Sequence, residues 1–199
     1  MSRKIPKEYD HPIDNILINW VEVLNPYFKK LHFTPNGITL ISLILGTMSI
    51  ICFIKKQFIL SGITLFISYF FDCMDGNYAR KYNMQTKFGD KFDHYKDWLI
   101  NGILVLLILF NNKTSFKFKI VTAIVLSITM FGMIIHTGCT EKYIRLHKSS
   151  DNKIENSAVV QAVTVCPDIK FLKKFKNLGC GSWYICLSVI IILHKYVQY

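Results

Sequence analysis

Residues 72–80 read DCMDGNYAR and residues 89–97 read GDKFDHYKD, and these two segments decide how the chain folds. The first segment ends an uncharged run that begins at residue 57, and the second precedes another uncharged run, 98–110. Aspartates recur three apart in the first segment and four apart in the second, so each pair lies on one face of a helix. Two apolar helices joined by a short turn around 83–89 therefore bring four carboxylates together at one edge of a bilayer.

Long uncharged runs elsewhere predict an all-α membrane protein. Residues 37–54, 120–140 and 177–194 contain no Asp, Glu, Lys or Arg, and each has about the ~20 residues that a helix needs to cross a bilayer. With the two runs beside the aspartates, they predict a polytopic helical bundle of five clear spanning helices. Residues 148–178 leave a sixth span open, because their apolar part, 158–166, is short.

The N-terminal region predicts a helix that lies on the membrane. Apolar residues recur at helical spacing within 12–31, while acidic and amide side chains fall on other faces. Thr34, followed by a proline, is typical of a helix N-terminus and predicts the start of the first span. We expect one domain over 1–199, in which 1–33 form a cytosolic arm with the interfacial helix and 34–199 form the transmembrane bundle.

The sequence is strongly basic, with 24 Lys and Arg against 13 Asp and Glu and a formal net charge of +11. Threading five spans from a cytosolic N-terminus leaves most Lys and Arg, and every acidic residue, on the cytosolic side, as the positive-inside rule favours. The basic balance thus indicates membrane topology and attraction to anionic lipid headgroups. The sequence carries no nucleic-acid-binding motif, so we expect membrane lipids as partners, no nucleic acid, and aspartates that face the cytosol.

The six cysteines predict free thiols and no disulfide framework. They show no CxxC pair and no spacing typical of a metal finger. A free thiol in an apolar helix packs as a small hydrophobic group. The polar N-terminus also differs from a cleavable signal peptide.

Four converging aspartates repel one another unless a cation lies between them. Hard ions such as Mg²⁺ or Mn²⁺ prefer carboxylate oxygens, and two ions about 3.5–4 Å apart can bridge a pyrophosphate. Gly76 and Ala79 leave room along the helix for a flat nucleotide. Arg80 offers a cation to a carboxylate or phosphate, and Gly89 allows a tight turn. The predicted metal ligands are Asp72, Asp75, Asp93 and Asp97.

These segments resemble the signature of the CDP-alcohol phosphotransferase family. The pattern D-x2-D-G-x2-A-R-x8-G-x3-D-x3-D is complete over residues 72–97, with eight fixed residues at fixed spacing. The resemblance in hydropathy extends over most of the chain. It implies a membrane transferase of about six spans, commonly dimeric, that moves a phospho-alcohol group from a CDP-activated donor and releases CMP. It also implies that the four aspartates surround two metal ions, with the CDP moiety against Gly76 and Ala79.

Two segments bear on the substrate. Residues 35–40, PNGITL, and 92–97, FDHYKD, look like the choline/ethanolamine phosphotransferase branch, which makes Asn36 a candidate for substrate binding. The branch implies CDP-ethanolamine or CDP-choline as donor and diacylglycerol as acceptor. This chain departs from the branch in its shorter length and in Tyr95-Lys96, where the branch usually has small residues.

Two alternatives stay open. A synthase of the same family would use CDP-diacylglycerol as donor and a small polar alcohol as acceptor, with an acceptor phosphate near Lys142, Arg145 and Lys148. Those three basic residues fit positive-inside anchors better than a phosphate site. The other alternative is a non-catalytic membrane scaffold, although a scaffold has no physical need for four converging carboxylates.

The general base for the acceptor hydroxyl has two candidates. Metal ions favour the ionised form of Asp97. Histidine titrates near neutral pH, which suits His94 for the role, and His94 lies about 100° around the helix from Asp93. A hydrogen bond from His94 to a neighbouring carboxylate is the structural alternative.

Overall fold

The computed structural model describes residues 3–147, 166, 168 and 170–197. These residues form helices and no strand, which confirms the all-α prediction. The α-helices are α1 (Pro12–Lys30), α2 (Pro35–Ile54), α3 (Phe58–Lys81), α4 (Lys87–Leu109), α5 (Phe116–His147), α6 (Lys170–Lys174) and α7 (Cys180–Leu193). Two short 3₁₀-helices cover Lys176–Leu178 and His194–Tyr196.

Three of the described helices are long and apolar enough to cross a membrane. They are α2, α3 and the Phe116–Ile144 part of α5. The other two predicted spans are less marked, because α4 begins with the charged aspartate segment and α7 has 14 residues, fewer than the ~20 of a full span. The possible sixth span, within 148–178, falls mostly outside the described residues.

Helix α1 begins where the sequence predicts, but its apolar residues do not share one environment. His11 caps it by accepting a hydrogen bond from a first-turn N–H at 3.3 Å. The face that packs on the bundle is mixed, since Asp14 and Asn25 are buried there, whereas Trp20 is 63% exposed. Pro26 lies inside the helix and does not end it. This arrangement fits a helix between the bundle and a membrane surface.

Reciprocal serine hydrogen bonds fasten α2 to α3 as an antiparallel pair. Ser42 and Ser68 each donate to the other's backbone carbonyl, at 2.9 and 2.7 Å, and Ser49 and Ser61 do the same at 2.8 Å. All four serines are buried. Small hydroxyl side chains let apolar helices approach closely while their polar atoms stay bonded. The predicted cap of α2 is present, with Thr34 Oγ1 accepting a first-turn N–H at 3.1 Å.

Helix α7 packs against α3 and closes the core. Leu65 and Leu187 are fully buried, and Tyr69 stacks on Tyr184 with ring centroids 4.1 Å apart. Gly62 permits the close approach, because a Cβ there would lie 2.8 Å from a backbone carbonyl oxygen of α7. The packing holds α7 beside the end of α3 that carries the aspartates.

The connection between α3 and α4 corrects one expectation. Thr86 caps α4 by accepting the N–H of Gly89 at 3.0 Å, so Gly89 lies in the first helical turn and not in the connecting turn. The left-handed residue of the connection is Asn83, with φ 53°. Gly89 also lies close to α2, since a Cβ there would lie 2.8 Å from Asn36 Oδ1.

Cys139 and Cys166 form a disulfide, so the prediction of unpaired cysteines was wrong for these two. The partners are 27 residues apart and belong to no spacing motif; only the fold brings their Cα atoms to 5.0 Å. The bond ties α5 to the segment that precedes α6. The free thiols are those of Cys52, Cys73, Cys180 and Cys186.

Candidate functional site

The end of α3 and the start of α4 bring the predicted metal ligands together. Carboxylate oxygens of Asp72, Asp75 and Asp93 lie within 4.8 Å of one another, and we call these residues the aspartate trio. Asp75 is buried and the other two are half-buried. Asp97, the fourth predicted ligand, lies one helical turn beyond Asp93 and outside the trio. Their role as metal ligands stays a prediction.

The ammonium group of Lys96 lies among these carboxylates. Its Nζ donates to Asp72 Oδ1 and lies 3.0 Å from Asp93 Oδ1 and 3.2 Å from Asp97 Oδ1. It also donates to Ser42 Oγ at 3.1 Å, so α2, α3 and α4 meet at this atom. The side chain is 2% exposed. One buried positive charge therefore offsets part of the repulsion among the aspartates.

Asp75 is oriented from α2. Thr39 Oγ1 donates to Asp75 Oδ2 at 2.6 Å, and both residues are buried. A hydrogen bond to a carboxylate is shorter and stronger than one between neutral groups, and it fixes the direction in which the carboxylate turns. The PNGITL segment thus contacts the aspartate trio directly.

Asp97 is oriented from α7. Tyr184 OH donates to Asp97 Oδ1 at 2.9 Å and accepts a hydrogen bond from Asn101 Nδ2 at 3.0 Å. Asn101 Oδ1 in turn accepts from Trp183 Nε1 at 3.0 Å. This chain of polar contacts fixes the position of Asp97 beside the Lys96 ammonium.

His94 is exposed and bonds to its own helix. Its Nδ1 lies 2.9 Å from the backbone oxygen of Asp90, and not against a carboxylate as the structural alternative to the base role had it. A carbonyl oxygen can only accept, so Nδ1 carries the hydrogen and Nε2 is left with a lone pair for a proton. The structure does not bring His94 into the aspartate trio.

The predicted substrate-contacting residues lie near the aspartates in two groups. A Cβ on Gly76 would lie 3.3 Å from Arg80 Nη1, so the guanidinium lies over the space that the glycine leaves. Asn36 lies against Gly89, as described above. Ala79 is half-buried in the same part of α3. Binding of substrate by these residues stays a prediction.

The aspartate trio has the donors that a divalent cation needs. Its ligand atoms are carboxylate oxygens, which suit Mg²⁺ and Mn²⁺ better than softer ions. Carboxylates this close are costly to keep ionised unless a cation lies between them. Among the described residues, the trio is the one group of three acidic, histidine or cysteine side chains close enough to hold an ion.

A cavity of about 450 Å³ lies at the opposite end of the bundle and does not compete for this role. It is lined by the ends of α2 and α4 and the start of α3, including Phe53, Phe58 and Phe110. No carboxylate or histidine lines it. We therefore place the candidate site at the aspartates.

Sequence reasoning missed three residues that hold the aspartates: Lys96, Thr39 and Tyr184. In the sequence, Lys96 stands out only because the choline/ethanolamine branch usually has a small residue at this position. It nevertheless lies three residues after Asp93, a spacing that allows contact on one helix face. Thr39 belongs to a recognised segment, but its partner is 36 residues away. Tyr184 gives no signal, because it lies in an apolar run.

Comparisons with known proteins agree with the signature. The sequence model described as CDP-alcohol phosphatidyltransferase matches residues 32–193. Two CDP-diacylglycerol–serine O-phosphatidyltransferases, from two strains of Helicobacter pylori, are each 35% identical to this chain over 80 residues. The match covers 40% of this chain, and the chain spans about a third (34%) of the length of these curated relatives. No solved structure matches the chain.

The family match covers most of the chain and contains all eight signature positions. Three apolar helices of spanning length agree with an integral membrane protein. The aspartate trio agrees with the divalent metal that this family typically uses. The relatives found are serine phosphatidyltransferases, so the comparisons do not extend to the choline/ethanolamine branch. The chain belongs to the CDP-alcohol phosphatidyltransferase family, a family of membrane transferases that synthesise phospholipids.

Proposed function

We propose that this protein transfers a phosphatidyl group from CDP-diacylglycerol to the hydroxyl of a small polar alcohol, with L-serine as the first candidate, and releases CMP. The observation that carries the proposal is the aspartate trio within a complete family signature. The relatives support this donor and acceptor, because their names specify CDP-diacylglycerol and serine. They support the CDP-diacylglycerol alternative better than the aminoalcohol donors that the sequence segments favour.

Transfer from CDP-ethanolamine or CDP-choline to diacylglycerol is the second candidate. It rests on the PNGITL and FDHYKD segments, of which the first orients Asp75 through Thr39. That contact serves the aspartates whichever alcohol is attached to CDP, so it does not favour an aminoalcohol. A scaffold without activity has less support still, because family membership and the aspartate trio both indicate a transferase.

We further propose that the aspartate end of the bundle faces the cytosol and that 1–199 form a single domain. The distribution of Lys and Arg supports this orientation. Helices α4 and α7 are taken as the remaining two of five spans, with α1 on the membrane surface. A homodimer is implied by the family resemblance and stays a prediction.

In the proposed reaction, the acceptor hydroxyl oxygen attacks the phosphorus of the phosphatidyl group. The bond between that phosphorus and the CMP oxygen breaks, and CMP leaves with the electron pair. A divalent ion, when bound, supplies positive charge to the pyrophosphate oxygens. The aspartate trio would hold the ion, and Thr39 keeps the Asp75 carboxylate in position. Arg80, whose guanidinium lies over Gly76, is the proposed partner of a phosphate oxygen.

The hydroxyl proton passes to Asp97 or His94. Asp97 lies beside the trio and is oriented by Tyr184, so it would be the nearer proton acceptor for an alcohol that binds at the trio. His94 has its Nε2 free, but it is exposed, and an acceptor alcohol would have to bind on the outer side of α4 to reach it. The geometry favours Asp97.

The basic residues considered for an acceptor phosphate add no support. Lys142 Nζ donates to the backbone oxygen of Cys166 at 3.0 Å. The side chain of Arg145 and all of Lys148 lie outside the described residues. An acceptor without a phosphate, such as serine, does not need these residues.

The test is a transfer assay with the purified protein in lipid vesicles and Mg²⁺ or Mn²⁺. CDP-diacylglycerol is offered with L-serine, glycerol 3-phosphate or inositol, and CDP-ethanolamine or CDP-choline is offered with diacylglycerol. We expect CMP and a phosphatidyl product in equal amounts from CDP-diacylglycerol, and neither from the Asp75→Asn variant. Product only from the aminoalcohol donors would establish the second candidate, and CMP without a lipid product would refute transfer.

A further inference from the structure

The position of Lys96 at the aspartates is unusual for a site that is expected to hold two divalent ions. Three carboxylate oxygens surround its Nζ, from Asp72, Asp93 and Asp97, and Ser42 Oγ adds a fourth oxygen. An ammonium group has three hydrogens to donate, so these neighbours satisfy it fully. The site therefore already contains one cation that belongs to the chain.

The carboxylates divide into two overlapping sets around this cation. Asp75 belongs to the aspartate trio and is held by Thr39, whereas Asp97 lies outside the trio and faces the ammonium. Asp72 and Asp93 are shared by both sets. An ion in the trio has three carboxylates available, but an ion between Asp97 Oδ1 and the shared Asp72 and Asp93 oxygens would take the volume in which Nζ lies.

Leaving that volume is difficult for the lysine. Its side chain is 2% exposed, and its Nζ is bonded to residues of α2, α3 and α4 at once. A second divalent ion would displace all these contacts and then repel a buried ammonium nearby.

We propose that the Lys96 ammonium takes the place of one of the two divalent ions, so that the protein binds a single divalent ion in the aspartate trio. The inference rests on the proposed function only in taking the trio as a metal site. Without nucleotide, one divalent ion and Lys96 bring a charge of +3 to the four carboxylates, which carry −4, whereas two ions and Lys96 would bring +5 and exceed it. Lys96 is thus a fixed cation of the site, on the side of Asp97.

The test is the number of Mn²⁺ ions bound per chain by the detergent-purified protein without nucleotide. Bound ions are counted by equilibrium dialysis and metal analysis, and pairs of ions are recognised by spin coupling in electron paramagnetic resonance. We expect one ion and no coupling in the wild type. Lys96→Ala opens the volume beside Asp97 and should bind two coupled ions. Lys91→Ala, which removes an exposed lysine from the same helix, should bind one.

Two bound ions in the wild type, or none, would overturn the proposal, and this reading does not depend on the variants folding. One ion in a folded Lys96→Ala would overturn it as well. The outcome is separate from the transfer assay: two ions with full transfer refutes only this inference, whereas one ion without any transfer refutes only the proposed function.

Discussion

The hydrogen bond from Thr39 to Asp75 offers the sharpest test of the aspartate trio as a metal site. Thr39→Val keeps the shape of the side chain and removes the hydroxyl that donates to Asp75 Oδ2 at 2.6 Å. Both residues are buried, so water does not readily replace the lost donor. A hydrogen bond to a charged group contributes about 1.5–3 kcal/mol, and loss of a bond to a metal ligand typically weakens metal binding about 10- to 100-fold.

We therefore expect the Kd for Mn²⁺ to rise about 10- to 100-fold in Thr39→Val. The assay is a Mn²⁺ titration of the purified protein, followed by the resonance signal of the free ion. Thr39→Ser is the matched control, because it keeps the hydroxyl and should stay within a few-fold of the wild type. Circular dichroism of both variants shows whether the helices are intact. Unchanged Mn²⁺ affinity in folded Thr39→Val, or equal losses in both variants, would refute the assignment of Asp75 as a ligand.

Three further predictions concern the base, the packing and the pH dependence. Asp97→Asn should abolish CMP release in the transfer assay while His94→Ala keeps most of it; the reverse result would assign the base to His94. Gly62→Ala should destabilise the protein by about 1–3 kcal/mol, seen as a lower Tm in detergent, because its Cβ would lie 2.8 Å from a carbonyl of α7. Gly102→Ala, with open space around its Cβ, should not lower the Tm, and equal Tm values for the two would contradict this packing. Burial, and secondarily a neighbouring carboxylate, raises the pKa of Asp10 from 3.8 to about 6. Its contribution to stability is therefore present below pH 4 and lost as the pH rises through 6, so wild-type Tm should fall over that range more steeply than in Asp10→Asn. Parallel Tm profiles would show that Asp10 does not titrate in this way.

The long apolar helices and the grouping of the aspartates could be predicted from the sequence. Hydropathy locates α2, α3 and α5, because each contains a long run without charged residues. A helix on the surface of a soluble protein does not need to exclude charge in this way. Spacings of three and four residues place the aspartate pairs on helix faces, and a short connection then brings the faces together. Local chemistry also fixes the cap of α2 at Thr34.

Contacts between distant parts of the chain could not be predicted in this way. The Cys139–Cys166 bond depends on how α5 meets the segment before α6, and no local pattern records that meeting. Lys96 shows the same limit within the site itself. Its spacing from Asp93 allows a contact, but only the packing of α2 and α3 turns its ammonium inward and leaves Asp97 outside the trio.

The reciprocal serine bonds between α2 and α3 determine which side of the site can adjust when a substrate enters. Bonds at two levels, Ser42 with Ser68 and Ser49 with Ser61, keep these helices from sliding along each other. The same two helices carry Thr39 and Asp75, so these bonds help to hold that pair at hydrogen-bond distance. Helix α4 carries the other two aspartates together with Lys96, and its buried residues, Lys96, Ile100, Leu104 and Ile108, recur along its length. Because α2 and α3 are joined in this way, any widening of the site for a nucleotide should come from a displacement of α4 relative to that pair.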